Sequence, residues 1–363
     1  MKYANKIVTI LGARPQFIKA ISLTKAFQNN LIKEIIVHTG QHYDYEMSKI
    51  FFETFNIPEP DYNLKIGSLS HGAQTGRMLE KVEEVLVKEK PAGVVVYGDT
   101  NSTLAGALAA VKLKIPVFHI EAGLRSFNRN MPEEINRVLT DHMSSLLFAP
   151  TEEAVKNMKN EGLTKGIVKT GDVMYDTFQM FKSRYKKHSQ ALLCKYGVKK
   201  KEFGVVTVHR EENTNDLGRF NSIIGGLKLI LKDGIKLIFP AHPRIKNIVP
   251  QNIENLIITE PLSYFNIQAL LSQALVVLTD SGGLQKEAYF HKVPCLTLRD
   301  ETEWIELQRC GANMVCGAKP ENILKAFKSI LKKEIYFNEK MYGDGKSGIH
   351  ISNTIKLFLK EIK

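Results

Sequence analysis

Uninterrupted runs of Val, Ile and Leu recur along the whole chain, and between them lie amphipathic stretches with helical period. In the first half the runs are Ile7–Gly12, Glu34–Thr39, Gly93–Gly98, Pro116–Glu121, Leu146–Ala149 and Gly166–Thr170. After a break come Phe203–Val208, Ile235–Pro240, Leu256–Thr259, Leu275–Thr279, Pro294–Leu298 and Asn313–Val315. A strand wetted on one face alternates apolar and polar residues, whereas an unbroken apolar run suits a parallel strand covered on both faces. The stretches between them, among them Ser102–Leu113, Glu133–Met143, Phe220–Leu231, Ile267–Ala274 and Glu321–Leu331, predict the covering helices. Strand and helix alternate from end to end, so the fold class is α/β with doubly wound parallel sheets. Twelve strands are too many for one compact sheet. We therefore expect two Rossmann-like domains, residues 1–171 and 172–345, parted at Gly171-Asp172 before a helix over Tyr175–Tyr185. Ligands of such sheets bind outside the carboxyl ends of the strands, so the domains are expected to face a cleft.

The 363 residues, 44% of them hydrophobic, hold enough apolar material for two cores. No apolar run approaches the ~18 residues of a membrane helix, and Arg14 interrupts the N-terminal stretch, so neither membrane association nor a signal peptide is expected. Cys194, Cys295, Cys310 and Cys316 form no C-x-x-C pair, which disfavours structural zinc and a disulfide framework and suits a cytoplasmic chain. Net charge is +12, from 50 basic and 38 acidic residues. Nucleic acid, an anionic membrane or small phosphorylated ligands would each suit such a balance. Its lysine-rich stretches, Lys182–Lys201 and Lys325–Lys363, lack the interleaved aromatics and arginines of a strand-binding groove, so nucleic acid is not expected.

Chemistry-bearing residues collect where the runs end. After Leu275–Thr279 comes Asp280-Ser281-Gly282-Gly283, opening a helix that carries Glu287. Two glycines admit an anion close to backbone amides, and a helix N-terminus points its free N–H groups at the same place. This is either a diphosphate site or an ordinary capped turn. The G-x-G-x-x-G fingerprint of NAD and FAD proteins is absent. The first run ends in Gly12-Ala-Arg14-Pro-Gln16 with Lys19 following, a turn that places a guanidinium and an ammonium near a strand end. Asp99 and Glu133 are candidate acid/base groups, each with a competing role as helix cap or first-turn acid. Glu121 ends a strongly apolar strand, a costly place for a carboxylate unless it is used or paired. In the second half His209-Arg210 and His242-Pro-Arg244 end two further strands and suit an anion-facing rim. Neither histidine stands at metal-ligand spacing, so no metal is expected.

Taken in order, Gly12-Ala-Arg-Pro, Thr39-Gly-Gln-His-Tyr, Gly98-Asp-Thr-Asn, His119-Ile-Glu-Ala-Gly-Leu-Arg125, Pro132-Glu-Glu-Ile-Asn-Arg137, Thr207-Val-His-Arg210 and Thr279-Asp-Ser-Gly-Gly-Leu-Gln-Lys-Glu287 resemble the non-hydrolysing UDP-N-acetylglucosamine 2-epimerases, over nearly the whole chain. The resemblance implies a glycosyltransferase-B-like fold whose last helix, residues 346–363, packs back on the N-terminal domain. It also implies a homodimer that takes a UDP-sugar and needs no cofactor. By motif position Ser281, Gly282 and Gly283 would meet the diphosphate, Glu287 the ribose, and Ile267 the uracil. His209 and Arg14 would lie near the phosphates, Arg210 and His242 would also serve the bound UDP-sugar, and Asp99, Glu121 and Glu133 would carry the acid/base work supported by Lys19 and His209. Two departures stand out. Thr302-Glu-Trp304-Ile-Glu306 looks more like epimerases of UDP-2,3-diacetamido-2,3-dideoxy-glucuronate, and Gln41-His-Tyr43-Asp44 replaces a cation of members activated by a second UDP-sugar. Such activation is therefore not expected. The rival readings are a hydrolysing epimerase, a retaining glycosyltransferase and a basic nucleic-acid-binding module.

Overall fold

The computed structural model describes residues 6–41, 54–55, 57–67, 69–241, 245–246 and 248–362; the Arg14 side chain and the expected sites at His42, Tyr43, Asp44, His242 and Arg244 lie outside the described residues. The chain divides into two compact units, one of Met1–Gln179 with Lys340–Lys363, the other of Met180–Glu339.

The first unit is built on β1 (Lys6–Leu11), β2 (Lys33–His38), β3 (Tyr62–Asn63), β4 (Gly93–Tyr97), β5 (Val117–Ile120), β6 (Leu146–Ala149) and β7 (Ile167–Lys169), in the spatial order β3-β2-β1-β4-β5-β6-β7. The second is built on β8 (Phe203–Thr207), β9 (Lys236–Pro240), β10 (Leu256–Thr259), β11 (Val276–Thr279), β12 (Cys295–Thr297) and β13 (Asn313–Val315), in the order β10-β9-β8-β11-β12-β13. Every pairing is parallel. Each expected apolar run holds a strand. Only β3 lacked a signal, because Tyr62-Asn63 is too short and too polar to stand out.

The side-chain period of a strand is two, and β1 shows what this does. Ile7 and Leu11 join Phe17, Leu23 and Phe27 of helix Arg14–Asn29 on one face of the sheet. Val8 and Ile10 join Val82, Val85 and Leu86 of helix His71–Glu89 and Ala107, Ala109 and Ala110 of helix Asn101–Lys112 on the other. Helices leaving β1 and β4 thus cover opposite faces, as the reversal of strand order between those strands requires. In the second unit, helices Leu217–Leu231 and Pro320–Ile330 pack on Val206, Leu237, Phe239, Val276 and Leu278.

The break expected at Gly171-Asp172 falls inside the first unit. Helix Val173–Tyr196 begins there, yet its first turn and a half are bonded into that unit. Asp172 N donates to Tyr342 O (2.9 Å), Thr177 Oγ1 donates to Ile18 O (2.9 Å), and the Asp176 carboxylate accepts from Ser347 N (3.0 Å) and Gly348 N (2.8 Å). Asp176 thereby caps helix Ser347–Glu361, whose Ile351, Ile355 and Leu359 enter the core beside Phe17. Gly348 is needed at this crossing: a Cβ there would lie 2.6 Å from the Ser22 carbonyl carbon.

One buried carboxyl makes the first unit sensitive to pH. Glu34 on β2 accepts from Thr9 Oγ1 of β1 (2.5 Å), but desolvation outweighs this bond and raises its pKa to about 7. The folded chain then holds a proton that the unfolded chain releases near 4.5, so this residue lowers stability as pH rises from there to about 7. Glu34→Gln should be more stable than wild type at pH 8 by about 1–3 kcal/mol and equal to it at pH 4, read by urea denaturation across that range.

Candidate active site

In the first unit the expected residues meet where β1, β4 and β5 end. Gly12 follows β1, and a Cβ there would fall 2.0 Å from Ser102 Oγ and 2.2 Å from Thr39 Oγ1, so only glycine lets the ends of β1 and β2 meet the first turn of helix Asn101–Lys112. Gln16, fully buried, ties the turns together. Its Oε1 accepts from Gly12 N (2.8 Å) and Ala13 N (2.9 Å), and its Nε2 donates to Tyr97 O (2.8 Å) and Thr100 Oγ1 (3.0 Å). From the helix that this turn opens, Lys19 reaches Glu121 and pairs with its carboxylate. Register sets Tyr97 beside Ile120, so the turns carrying Asp99 and Glu121 are neighbours. Glu121 itself sits at φ 67°, in the left-handed region, and Gly98 at φ 61°. A Cβ on Gly98 would lie 3.1 Å from Lys19 Nζ and 3.2 Å from Glu121 Oε2.

Helix Pro132–Met143 closes this cluster. Glu133 is half-buried in its first turn, next to fully buried Glu134. Arg137, one turn on, pairs with Asp99 and donates from Nη1 to Glu134 Oε2 (2.9 Å), while Asn136 Nδ2 donates to Asp99 O (3.0 Å). Asp99 is not the cap of the following helix. Thr100 takes that role by accepting from Thr103 N (3.3 Å), which leaves the Asp99 carboxylate to Arg137. The first unit therefore brings Lys19, Asp99 and Glu121 to adjacent turns, with Glu133 on the helix that braces them.

In the second unit β8 and β11 end side by side, paired from Val276–Gly204 to Thr279–Thr207. Asp280, fully buried just after β11, accepts from His209 N (3.0 Å), Arg210 N (3.0 Å) and Asn213 Nδ2 (3.0 Å), and lies 3.1 Å from His209 Nδ1. Burial would raise its pKa, but these donors and His209 outweigh it and hold the carboxyl below its usual range. The His209 side chain remains 44% exposed. Ser281 caps helix Gly282–Phe290, its Oγ accepting from Leu284 N (3.4 Å). Both readings of this turn are thus compatible: the capped helix exists, and Gly282 and Gly283 form its half-exposed first turn. Behind Gly282, whose Cβ would lie 2.2 Å from Glu303 Oε1, Arg299 Nη1 donates to Glu303 Oε2 (2.9 Å) and Lys286 Nζ stands 4.1 Å from the Trp304 ring centroid. Trp304 is buried behind the turn rather than displayed on it. Glu287 is nearly buried, and its charge helps to raise the pKa values of Tyr185 and Tyr264 above the usual tyrosine range, after their own burial. Ile267 lies half-exposed on helix Tyr264–Leu271.

Gln16, Asn136, Arg137, Asp141 and Asp280, which brace these turns, carry no mark of that role in the sequence as a group. Four of them act by bonding to the backbone of another turn, and nothing in local spacing marks such a role. Arg137 had a signal, since it stands three residues after Glu134 on one helix face.

Similarity to known proteins extends over nearly the whole chain. The family model described as UDP-N-acetylglucosamine 2-epimerase matches residues 25–356. A UDP-N-acetylglucosamine 2-epimerase homolog of Methanococcus maripaludis is 48% identical, over 97% of this chain and 99% of that protein. The UDP-2,3-diacetamido-2,3-dideoxy-D-glucuronate 2-epimerase of Pseudomonas aeruginosa is also 48% identical, over 96% and 98%. Among solved structures, the Methanocaldococcus jannaschii UDP-GlcNAc 2-epimerase in complex with UDP-GlcNAc and UDP superposes with a TM-score of 0.91 at 44% identity, over 97% of this chain and 99% of that one.

The Asp280 hub makes a measurable claim. Asp280→Asn keeps the volume but turns one acceptor into a donor facing other donors, and should cost about 2–4 kcal/mol in urea denaturation at pH 7. Because the folded pKa is depressed, wild type should hold this advantage above about pH 4 and lose it as pH falls further.

Proposed function

The chain belongs to the UDP-N-acetylglucosamine 2-epimerase family, and on that premise we propose that it interconverts UDP-N-acetylglucosamine and UDP-N-acetylmannosamine without net hydrolysis. The observation that carries the reading is the pairing of Lys19 with Glu121 on a left-handed turn beside Asp99. Strong apolar strands lead into it, so ionised groups are gathered at a place where burial would otherwise exclude them.

The chemistry calls for this set. C2 of the sugar bears an amide nitrogen and is not alpha to a carbonyl, so its hydrogen is barely acidic. Breaking C1–O sends that electron pair to the β-phosphate oxygen of UDP, and a carboxylate takes the C2 proton as the C1–C2 double bond of a 2-acetamidoglucal forms. UDP then adds back at C1 while C2 is protonated on the opposite face. Electrons balance without a redox cofactor. The two proton transfers fall to Glu121, Asp99 and Glu133, with Lys19 supporting Glu121. The departing diphosphate falls to the second unit: the first N–H groups at Gly282 and Gly283, the Ser281 hydroxyl, His209 and Arg210. Glu287 would hold the ribose and Ile267 flank the uracil. Free thiols at Cys194, Cys295, Cys310 and Cys316 suit a cytoplasmic enzyme. Association of two copies would cover Ile135 and Leu139, exposed one turn apart on helix Pro132–Met143.

A second reading rests on Trp304, which follows the pattern of the diacetamido-glucuronate enzymes, and on the equally similar Pseudomonas relative. Both nucleotides belong in the same assay. With UDP-N-acetylglucosamine, chromatography should show UDP-N-acetylmannosamine accumulating to equilibrium; free N-acetylmannosamine would point to hydrolysis, and turnover of the diacetamido nucleotide alone to the second reading. Glu121→Gln should abolish turnover and leave the UDP dissociation constant within about twofold, whereas Ser281→Ala should weaken UDP binding about 5- to 20-fold by calorimetry. Near-normal turnover in Glu121→Gln would contradict the assignment.

A further inference from the structure

Glu121 sits at φ 67°, a backbone conformation unfavourable for any residue but glycine. A left-handed φ is disfavoured for a non-glycine residue, and it persists only where the surroundings over-determine it. The surroundings here are specific. His119, two residues before Glu121, and Asp141, on helix Pro132–Met143, are both completely buried. His119 Nδ1 lies 2.7 Å from Asp141 Oδ1, and the other carboxylate oxygen of Asp141 accepts from Gly123 N (3.0 Å), two residues after Glu121. One carboxylate therefore grips the chain on both sides of the turn. His119 Nε2 lies 2.7 Å from Gly98 O, and a carbonyl only accepts, so that nitrogen carries a hydrogen and holds the residue before Asp99.

Arg125 completes the anchorage. Its Nη1 donates to Asp141 Oδ2 (2.7 Å) and Leu124 O (2.6 Å), and its Nε and Nη2 form a two-pronged pair with Glu161 (2.7 Å each). Burial acts to raise the Asp141 pKa, but His119 and Arg125 together hold it below the usual carboxylate range. The carboxylate is thus ionised and fully used.

We infer that Asp141 and His119 are a positioning pair for the reaction: through Gly123 and Gly98 they set the backbone of the two turns that carry Glu121 and Asp99, while neither side chain reaches the substrate. This rests on the assignment of Glu121 and Asp99 to proton transfer. A misplacement of about 1 Å costs on the order of a hundredfold in rate, so relaxing the turn should act on the chemical step and not on nucleotide binding.

The test is Asp141→Asn, nearly isosteric but carrying a donor where His119 and Gly123 already donate. We expect kcat to fall about 10- to 100-fold, with KM and the UDP dissociation constant within about twofold of wild type. Amide hydrogen exchange over residues 120–124 should quicken about tenfold or more while exchange in the second unit stays unchanged. His119→Gln, whose amide retains a donor for Gly98 O, should keep about tenfold more kcat than His119→Ala. That comparison decides the matter if Asp141→Asn does not fold. Wild-type kcat in Asp141→Asn, UDP affinity falling in step with kcat, or equal losses in the two His119 variants would each overturn the inference. If wild type turns over no UDP-sugar, the functional reading fails, and hydrogen exchange still decides whether the pair holds the turn.

Discussion

Reversal of strand order is the constraint on which everything else depends. In each sheet the first strand and its later neighbour, β1 with β4 and β8 with β11, send their following helices in opposite directions along the sheet. The polypeptide between a strand end and its helix must turn tightly there, with backbone N–H groups and helix N-termini left without strand partners. Both units place their polar residues at this point. In one the turns after β4 and β5 carry Asp99 and Glu121, with Lys19 reaching in from helix Arg14–Asn29, and in the other the turns carry His209, Arg210 and Ser281.

Those turns need buried acceptors to keep their shape. The second unit uses Asp280, which collects the N–H groups of His209 and Arg210. The first uses Asp141 for the N–H of Gly123, and the amide of Gln16 for those of Gly12 and Ala13. Each acceptor is desolvated at a cost and recovers it only by full use of its lone pairs. Rigid turns follow from that arrangement, and in the proposed reaction such a turn would hold the carboxylate against a weakly acidic C–H bond.

Most of the architecture was legible because parallel strands buried on both faces have few polar residues to disguise them. All twelve runs read from the chain became strands, and Glu121 stood out as a candidate because a carboxylate ending an apolar strand is costly unless it is used or paired. What escaped was long-range. The domain crossing falls at Gln179 and not at Gly171, because Asp176 and Thr177 bond to segments far away in sequence. Helix His71–Glu89 was overlooked because its exposed face is strongly charged and its buried stripe of Met78, Val82 and Val85 is narrow. Trp304 was read as a clue to substrate from its sequence neighbours, and the fold buries it under Lys286 behind the Gly282 turn. Its influence on specificity would pass through the shape of that turn.

The central claim is that a carboxylate of the first unit removes and returns the proton at C2 while UDP is eliminated and re-added. Proton NMR of UDP-N-acetylglucosamine incubated with the protein in D2O tests it most directly. Loss of the C2–H signal is expected as deuterium enters from solvent, together with new anomeric signals of UDP-N-acetylmannosamine. Epimerisation with the C2 hydrogen fully retained would contradict it.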